Sequence, residues 1–399
     1  MTEQPASKVP QIRFKEFEGE WQNEMIGEVF IEKKRPIVLK DHQRYELITV
    51  KRRNEGIVSR GHLFGRKILV KNYSQLQAGD FVISKRQVVH GATGMIPPKL
   101  DGAIVSNEYL VAVDSSKLLT EFLTILASLP SMRQKFFLSS YGVDIEKLFF
   151  DAEDWKKRKV TIPSVTEQTQ IGEYFRELDR LIGLHQRKQD KLVTLKKAML
   201  QKMFPQPGAT TPSIRFKGFE GDWEEKKLGD VATFLNGRAY SQNELLEKGR
   251  YRVLRVGNFY TNSSWYYSDL NLAEKFYANK GDLLYTWSAS FGPHIWAGEK
   301  VIYHYHIWKI ELSDALEKSF TLQLLENDKE RILENSNGST MVHITKEGME
   351  GKSIVIPHPA EQQKIGSYFR TLDELIAQHA TQLQKLQQIK SACLARMFV

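Results

Sequence analysis

A ten-residue segment occurs twice in the chain: IRFKEFEGEW at 12–21 returns as IRFKGFEGDW at 214–223, a spacing of 202 residues. The same spacing carries Gly79-Asp80 of QAGDFVIS onto Gly281-Asp282 of NKGDLLYT. Further on, EQTQIGEYFRELDRLI at 167–182 returns as EQQKIGSYFRTLDELI at 361–376, now 194 residues later. That second spacing holds from Ile162-Pro163, matched by Ile356-Pro357, to Met203-Phe204, matched by Met397-Phe398. The chain is therefore a tandem duplication, the first copy eight residues longer than the second. Between Trp21 and Ile162, and between Trp223 and Ile356, the copies share little beyond the Gly-Asp turn. Each copy is a common frame around a divergent middle, and divergence confined to one segment suggests that the two middles bind different things.

The shared C-terminal part of each copy reads as one long helix. Pro163 and Pro357 cannot continue a helix, and Ser164 or Thr166 offers an N-cap before Glu167. Positions then step alternately by four and three, through Ile171, Phe175, Leu178, Ile182, His185, Gln189, Leu192, Lys196, Met199 and Met203. The second copy repeats the stripe with Ile365, Phe369, Leu372, Ile376, His379, Leu383, Leu386, Lys390, Cys393 and Met397. This is a heptad stripe, a coiled-coil seam, and about 36 residues at ~1.5 Å each make a rod of about 54 Å. Packing the stripes on each other gives a helix-pair interface of Phe175, Leu178, Ile182, His185, Leu192 and Met199 with Phe369, Leu372, Ile376, His379, Leu386 and Cys393. His185 and His379 read as hydrogen-bonded interface residues rather than paired ligands, and Cys393 as a small core residue rather than a nucleophile. FPQPGATTPS after the first helix is a Pro/Gly linker. The division is 1–160 and 214–356 as globular domains, 161–205 and 357–399 as spacer helices, and 206–213 as linker.

The middles read as mixed α/β with many short strands, so the fold class is α/β of the α+β kind. The first offers strands in YELITV, RKILV, DFVIS and AIVSNEYLVAV before the helical TEFLTILASL. The second offers RYRVLRVG, DLLYTWS and KVIYHYHIWKI before the helical SFTLQLLENDKERIL.

Charge is unevenly spread over the net +9. Residues 1–160 hold 26 basic and 20 acidic side chains, whereas 213–357 hold 18 and 20. Within 51–86, Lys51, Arg52, Arg53, Arg60, Arg66, Lys67, Lys71, Lys85 and Arg86 face only Glu55 and Asp80, a density that suits a polyanion. One cysteine makes neither an internal disulfide nor a Cys-based zinc site. With no apolar N-terminal segment and no run near the ~18 apolar residues of a membrane span, the expected location is the cytoplasm.

Catalytic patterns are missing. GMEGKS at 348–353 has two residues where a phosphate loop needs four, and no G-x-G-x-x-G, G-x-S-x-G or H-E-x-x-H pattern occurs. His304 and His306 have strand spacing but no carboxylate or cysteine company, and the acid-x-Lys triplets at Glu32–Lys34 and Glu225–Lys227 do not align, the 202-residue spacing placing Glu225 on Asn23. No metal is expected. What remains is recognition chemistry, in which Arg and Lys neutralise phosphates or fork onto guanine, Asn and Gln pair with adenine, and aromatic rings stack. After DFVIS the first copy brings Lys85, Arg86, Gln87 and His90; after DLLYT the second brings Tyr285, Trp287, Ser288, Ser290 and His294, with Arg250, Arg252, Arg255 and Asn258 upstream.

These residues resemble the specificity subunit of type I restriction-modification systems, over nearly the whole chain. The resemblance is carried by IRFKEFEGEW, the Gly-Asp strand, the IPS-EQ helix start, the rod ending KKAMLQKMF, their repetition, and the stretches GDLLYTWSASFG and QVVHGATGMIPPKLDGAIVSNEYLV. It implies two target-recognition domains joined by two long antiparallel conserved helices in a pseudo-twofold tandem repeat. Each domain would read one half of a split sequence in double-stranded DNA. This chain would be non-catalytic and bind no cofactor; modification (methyltransferase) subunits, two of them, and restriction subunits would supply the S-adenosylmethionine, ATP and Mg chemistry. A stand-alone DNA-binding regulator and a coiled-coil protein adaptor are the alternative readings.

Overall fold

The computed structural model describes residues 8–69, 72–260, 262–288, 290–335 and 344–399. Two compact units emerge: one is built from the chain up to Leu184 together with Leu383–Val399, the other from His185–Gln382. The two long helices, Val165–Met203 and Pro359–Arg396, lie within the 161–205 and 357–399 read from the sequence, starting and ending a few residues inside them, and each contributes to both units.

In the first unit the strands are β1 (Gln22–Met25), β2 (Ile31–Glu32), β3 (Pro36–Ile37), β4 (Arg44–Val50), β5 (Ile57–Phe64), β6 (Tyr73–Gln75) and β7 (Phe81–Ser84). They continue as β8 (Thr93–Met95), β9 (Ile104–Ser106), β10 (Tyr109–Val113), β11 (Ser140–Tyr141), β12 (Phe149–Phe150) and β13 (Lys159–Ile162). The second unit holds β14 (Glu224–Lys227), β15 (Ala232–Asn236), β16 (Tyr251–Leu254), β17 (Tyr266–Ser268) and β18 (Tyr277–Ala278). Its remaining strands are β19 (Leu283–Thr286), β20 (Gly292–Ile295), β21 (Val301–Tyr303), β22 (Ile307–Leu312) and β23 (Ser353–Ile356).

The divergent middles share one topology. A sheet ordered β2-β10-β7-β8 in the first unit corresponds to β15-β22-β19-β20 in the second. A second sheet ordered β5-β4-β9-β6 corresponds to β17-β16-β21-β18, with β3 added at the β6 edge of the first. Even the parallel pair recurs at the same place, β4 with β9 and β16 with β21. The Gly-Asp turn explains itself: Gly79 and Gly281 both take φ of 92°, the left-handed conformation that costs glycine nothing. The carboxylates of Asp80 and Asp282 then accept the backbone N–H groups of Gln77 and Asn279, tying the turn that starts β7 and β19.

Two of the strand expectations need correction, for the same physical reason in both copies. AIVSNEYLVAV is not one strand but β9 and β10, which belong to different sheets, and KVIYHYHIWKI is likewise β21 and β22. The apolar stretches on either side of Ser106-Asn107-Glu108 and of His304-Tyr305-His306 are buried alike, and periodicity does not register where the chain crosses between layers. Of RKILV, Val70 lies outside the described residues and the rest is not a strand: Gly65–Lys67 is a 3-10 turn, with Ile68 buried beyond it.

The repeated motifs are clamps between the frame and the helix start. Arg13 donates through Nε and Nη2 to the two carboxylate oxygens of Glu167, 2.8 Å each, and Arg215 does the same to Glu361. Both glutamates are 1% exposed. Next to them, the amides of Gln168 and Gln362 tie the loops before Leu119 and Glu317 to the carbonyls of Pro163 and Pro357. Ser164 is the cap, its hydroxyl accepting the N–H of Glu167.

Four aromatic rings complete each core. Trp21, Phe122 and Phe175 surround Phe398 in the first unit, with ring centroids 5.8–6.1 Å from it. Trp223, Phe320 and Phe369 surround Phe204 in the second, at 5.5–6.2 Å. The Met-Phe ending of each helix therefore fills the core built around the start of the other. Within each unit the paired helix segments run antiparallel, marked by Lys390 with Asp179 in one and Lys196 with Asp373 in the other.

Along the helices the stripe is the inner face. Phe175, Leu178, Phe369, Leu372 and Cys393 are buried, and Ile182, Leu192, Met199, Ile376 and Leu386 are half-buried. His185 and His379 face each other with Nδ1 atoms 2.9 Å apart, so one ring donates to the other. Burial, followed by the facing His185 ring and Lys188, holds His379 below the usual histidine pKa.

Candidate nucleic-acid interface

The shared topology brings two loops together in each unit, one after β4 or β16 and one after β7 or β19. In the first unit these are residues 51–56 and 85–92. Arg52 donates to Gln87 Oε1 at 2.7 Å and to Glu146 Oε2 at 2.8 Å, and the Asn54 N–H reaches the Gly91 carbonyl at 2.8 Å. His90 lies 3.6 Å from the same Glu146. Arg86 pairs with Glu108 at 2.6 Å and lies over the Phe149 ring, and Lys85 donates to the Asn107 carbonyl at 2.8 Å.

These cations are thus of two kinds. Arg52, Lys85 and Arg86 are committed to protein partners and buttress the loops. The exposed side chains of Lys51, Arg53 and Arg60 make no hydrogen bond or ion pair among the described residues. Arg66 and Lys67 are not part of this group: they lie beyond the far end of the β4–β5 hairpin, roughly 20 Å away at ~3.3 Å per residue, with Arg66 over Phe64. Lys71 lies outside the described residues.

In the second unit the corresponding loops are dressed mainly with rings, Arg255 being their cation. Phe259 stacks on His294 at 4.1 Å, and the Tyr260 hydroxyl is 3.3 Å from His294 Nε2. Thr286 Oγ1 approaches the same nitrogen at 3.4 Å. Burial, aided by Lys329, lowers the His294 pKa to about 4, so the ring is neutral at physiological pH. Asn258 accepts the Arg255 N–H and donates to the Asn262 and Ser264 carbonyls, fixing the loop from inside. Arg255 lies over Tyr266 at 4.3 Å, Arg252 over Trp265 at 5.5 Å and Arg250 over Tyr251 at 5.2 Å. Trp287 donates Nε1–H to the Tyr305 carbonyl and stacks on Trp308; Ser288 is half-buried and Ser290 exposed.

Tyr285 is a correction. It is fully buried and stacks on Trp308, because its position on a central strand, with β20 and β22 on either side, points it into the core. Missed from the sequence were Phe259, Tyr260 and Tyr266, which follow a Val-Gly-Asn turn signal, and Asn54 and Glu146, for which no local signal exists. Among the described residues no group of three or more His, Cys, Asp or Glu side chains could hold a metal ion, His304 and His306 included. None of the described helices is long and apolar enough to cross a membrane.

Comparison with known proteins agrees with this arrangement. The type I restriction modification DNA specificity domain matches twice, over residues 18–194 and 220–388. The type I restriction enzyme MjaVIII specificity subunit of Methanocaldococcus jannaschii is 22% identical, the match covering 94% of this chain and 93% of that protein. The type I restriction enzyme EcoBI specificity subunit of Escherichia coli is 26% identical over 42% of this chain and 35% of its own length. Among solved structures, the S subunit of a type I restriction-modification system from M. genitalium shares the fold, with a TM-score of 0.65 at 14% identity over 98% of this chain and 99% of that one.

Proposed function

Because the chain belongs to the type I restriction modification DNA specificity domain family, we propose that its two units each read one half of a split target in double-stranded DNA. It is a DNA-recognition subunit of a type I restriction-modification system, named relatives being specificity subunits rather than catalytic ones. The observation that carries the split-target reading is the pairing of one strand topology with two unlike sets of loop residues, cationic in the first unit and mainly aromatic in the second. A shared scaffold with different readers is what two different half-sites require.

In this reading residues 1–160 and 214–356 are the recognition domains, and the coiled-coil spacer helices at 161–205 and 357–399 set the gap between half-sites. The chain works in the cytoplasm with two modification subunits and with restriction subunits, which carry the S-adenosylmethionine, ATP and Mg chemistry. Deleting the gene is expected to remove one gapped N6-methyladenine motif from the methylation map of the source genome, and an unchanged map would refute the assignment. Inserting one heptad in both long helices adds about 10.5 Å of helix. The gap in the methylated motif is then expected to grow by up to ~3 base pairs at 3.4 Å each, and a constant gap would dismiss the helices as a ruler.

A further inference from the structure

The loop joining β4 to β5 is a tight turn with an unusual residue in it. Arg53 and Asn54 both have φ of 58°, and the Glu55 N–H closes the turn on the Arg52 carbonyl at 3.3 Å. Positive φ at both central positions is the geometry of the mirror-image hairpin turn, where Asn-Gly is most at home. Asn tolerates that conformation; arginine, with its Cβ against the backbone, does so at a cost.

The surroundings hold the strained turn in place. Asn54 Nδ2 donates to Thr93 Oγ1 at 3.0 Å, and its Oδ1 accepts from Arg133 Nη2 at 3.0 Å. Gly91, itself at φ of 74°, lies so close that a Cβ there would sit 2.7 Å from Asn54 Oδ1 and 3.3 Å from the Arg53 Cα. Arg52 is anchored to Gln87 and Glu146 on the other side. All these contacts fix the backbone, and none engages the Arg53 side chain, which is exposed. Local strain maintained in this way is a mark of function.

We propose that Arg53 is the specificity-determining residue of the first unit, its guanidinium carried on a fixed turn backbone to the O6 and N7 edge of a guanine in the major groove. A phosphate contact needs only a flexible charge, which Lys51 and Arg60 supply from unstrained backbone beside the turn. Bidentate recognition of guanine needs a planar fork on a rigid mount. The assignment rests on the DNA-recognition reading given above and names which base type that reading requires in one half-site.

The test uses the full chain assembled with its modification subunits, and duplexes in which each base pair of the split target is changed in turn. R53K keeps the charge but loses the fork. It is expected to relax discrimination at one G·C position of one half-site by about 5- to 150-fold, with the other half unaffected. R53G is expected to relax the same position while raising the melting temperature by about 2–4 °C, since glycine relieves the turn; that rise excludes misfolding as the cause. K51A is the contrast, expected to weaken all sequences alike and to reduce the salt slope by about one phosphate contact. Uniform weakening by R53K or R53G, or no change at all, would overturn the assignment. If the unaltered complex fails to prefer any split target, the DNA-recognition reading itself falls and takes this assignment with it.

Discussion

Exchanging residues 22–160 for the corresponding middle of a related subunit is expected to change one half of the recognised sequence completely and to leave the other half and the gap as they were. The structure gives a physical basis for so clean an exchange. β1 pairs with β13 antiparallel, with Gln22 opposite Ile162, so the middle leaves the frame and rejoins it at one place. The clamp of Arg13 on Glu167 and the rings of Trp21, Phe175 and Phe398 lie outside the exchanged segment. What the donor must bring is a ring in the place of Phe122 and a loop that Gln168 can cap. A methylation map of cells carrying the chimera reads the result directly. A motif altered in both halves, in a chimera that melts like the parent, would mean that the units do not read independently.

A second large effect is expected from Arg13→Ala. Glu167 is 1% exposed, and Arg13 supplies two of its hydrogen bonds as well as the opposing charge. Removing one partner of a buried pair leaves an uncompensated charge, a loss of about 3–5 kcal/mol. For a unit of this size that is a fall of roughly 10 °C in melting temperature, at about 2–4 °C per kcal/mol. Glu167→Gln in the same background removes the stranded charge and is expected to recover part of the loss. Calorimetry of the two variants separates this account from simple packing: a single substitution costing less than about 1 kcal/mol, or no recovery in the double variant, would show that the clamp is only geometric. Arg215 and Glu361 offer the same experiment in the second unit.

The long helices were legible because a seven-residue repeat sustained over five turns of the pattern has one physical solution. The stripe from Ile171 to Met203 is the inner face as read, with Glu173, Arg176, Asp190 and Lys197 outside it. The sheets were less legible. Nothing in Ser106-Asn107-Glu108 signals that the chain leaves one sheet for another, and the shared topology of the two middles left almost no common sequence beyond Gly-Asp. Of the candidate site, the residue types were readable but their company was not. Arg52 and Arg53 are neighbours in sequence with the same side chain, yet one is held by Gln87 and Glu146 and the other is unengaged. That difference is made by partners 35 and 94 residues away. Tyr285 failed for the opposite reason: alternation along a strand buried on both faces does not tell a reader from a core ring.

The exchange of helix ends also orders events during synthesis. The second unit is a single continuous stretch, His185–Gln382, whereas the first needs Leu383–Val399 to bring Cys393, Met397 and Phe398 into its core. Domains ordinarily mature in the order in which they leave the ribosome. Here the core of the half translated first can be completed only after the half translated second has all of its residues, because Phe398 packs among Trp21, Phe122 and Phe175.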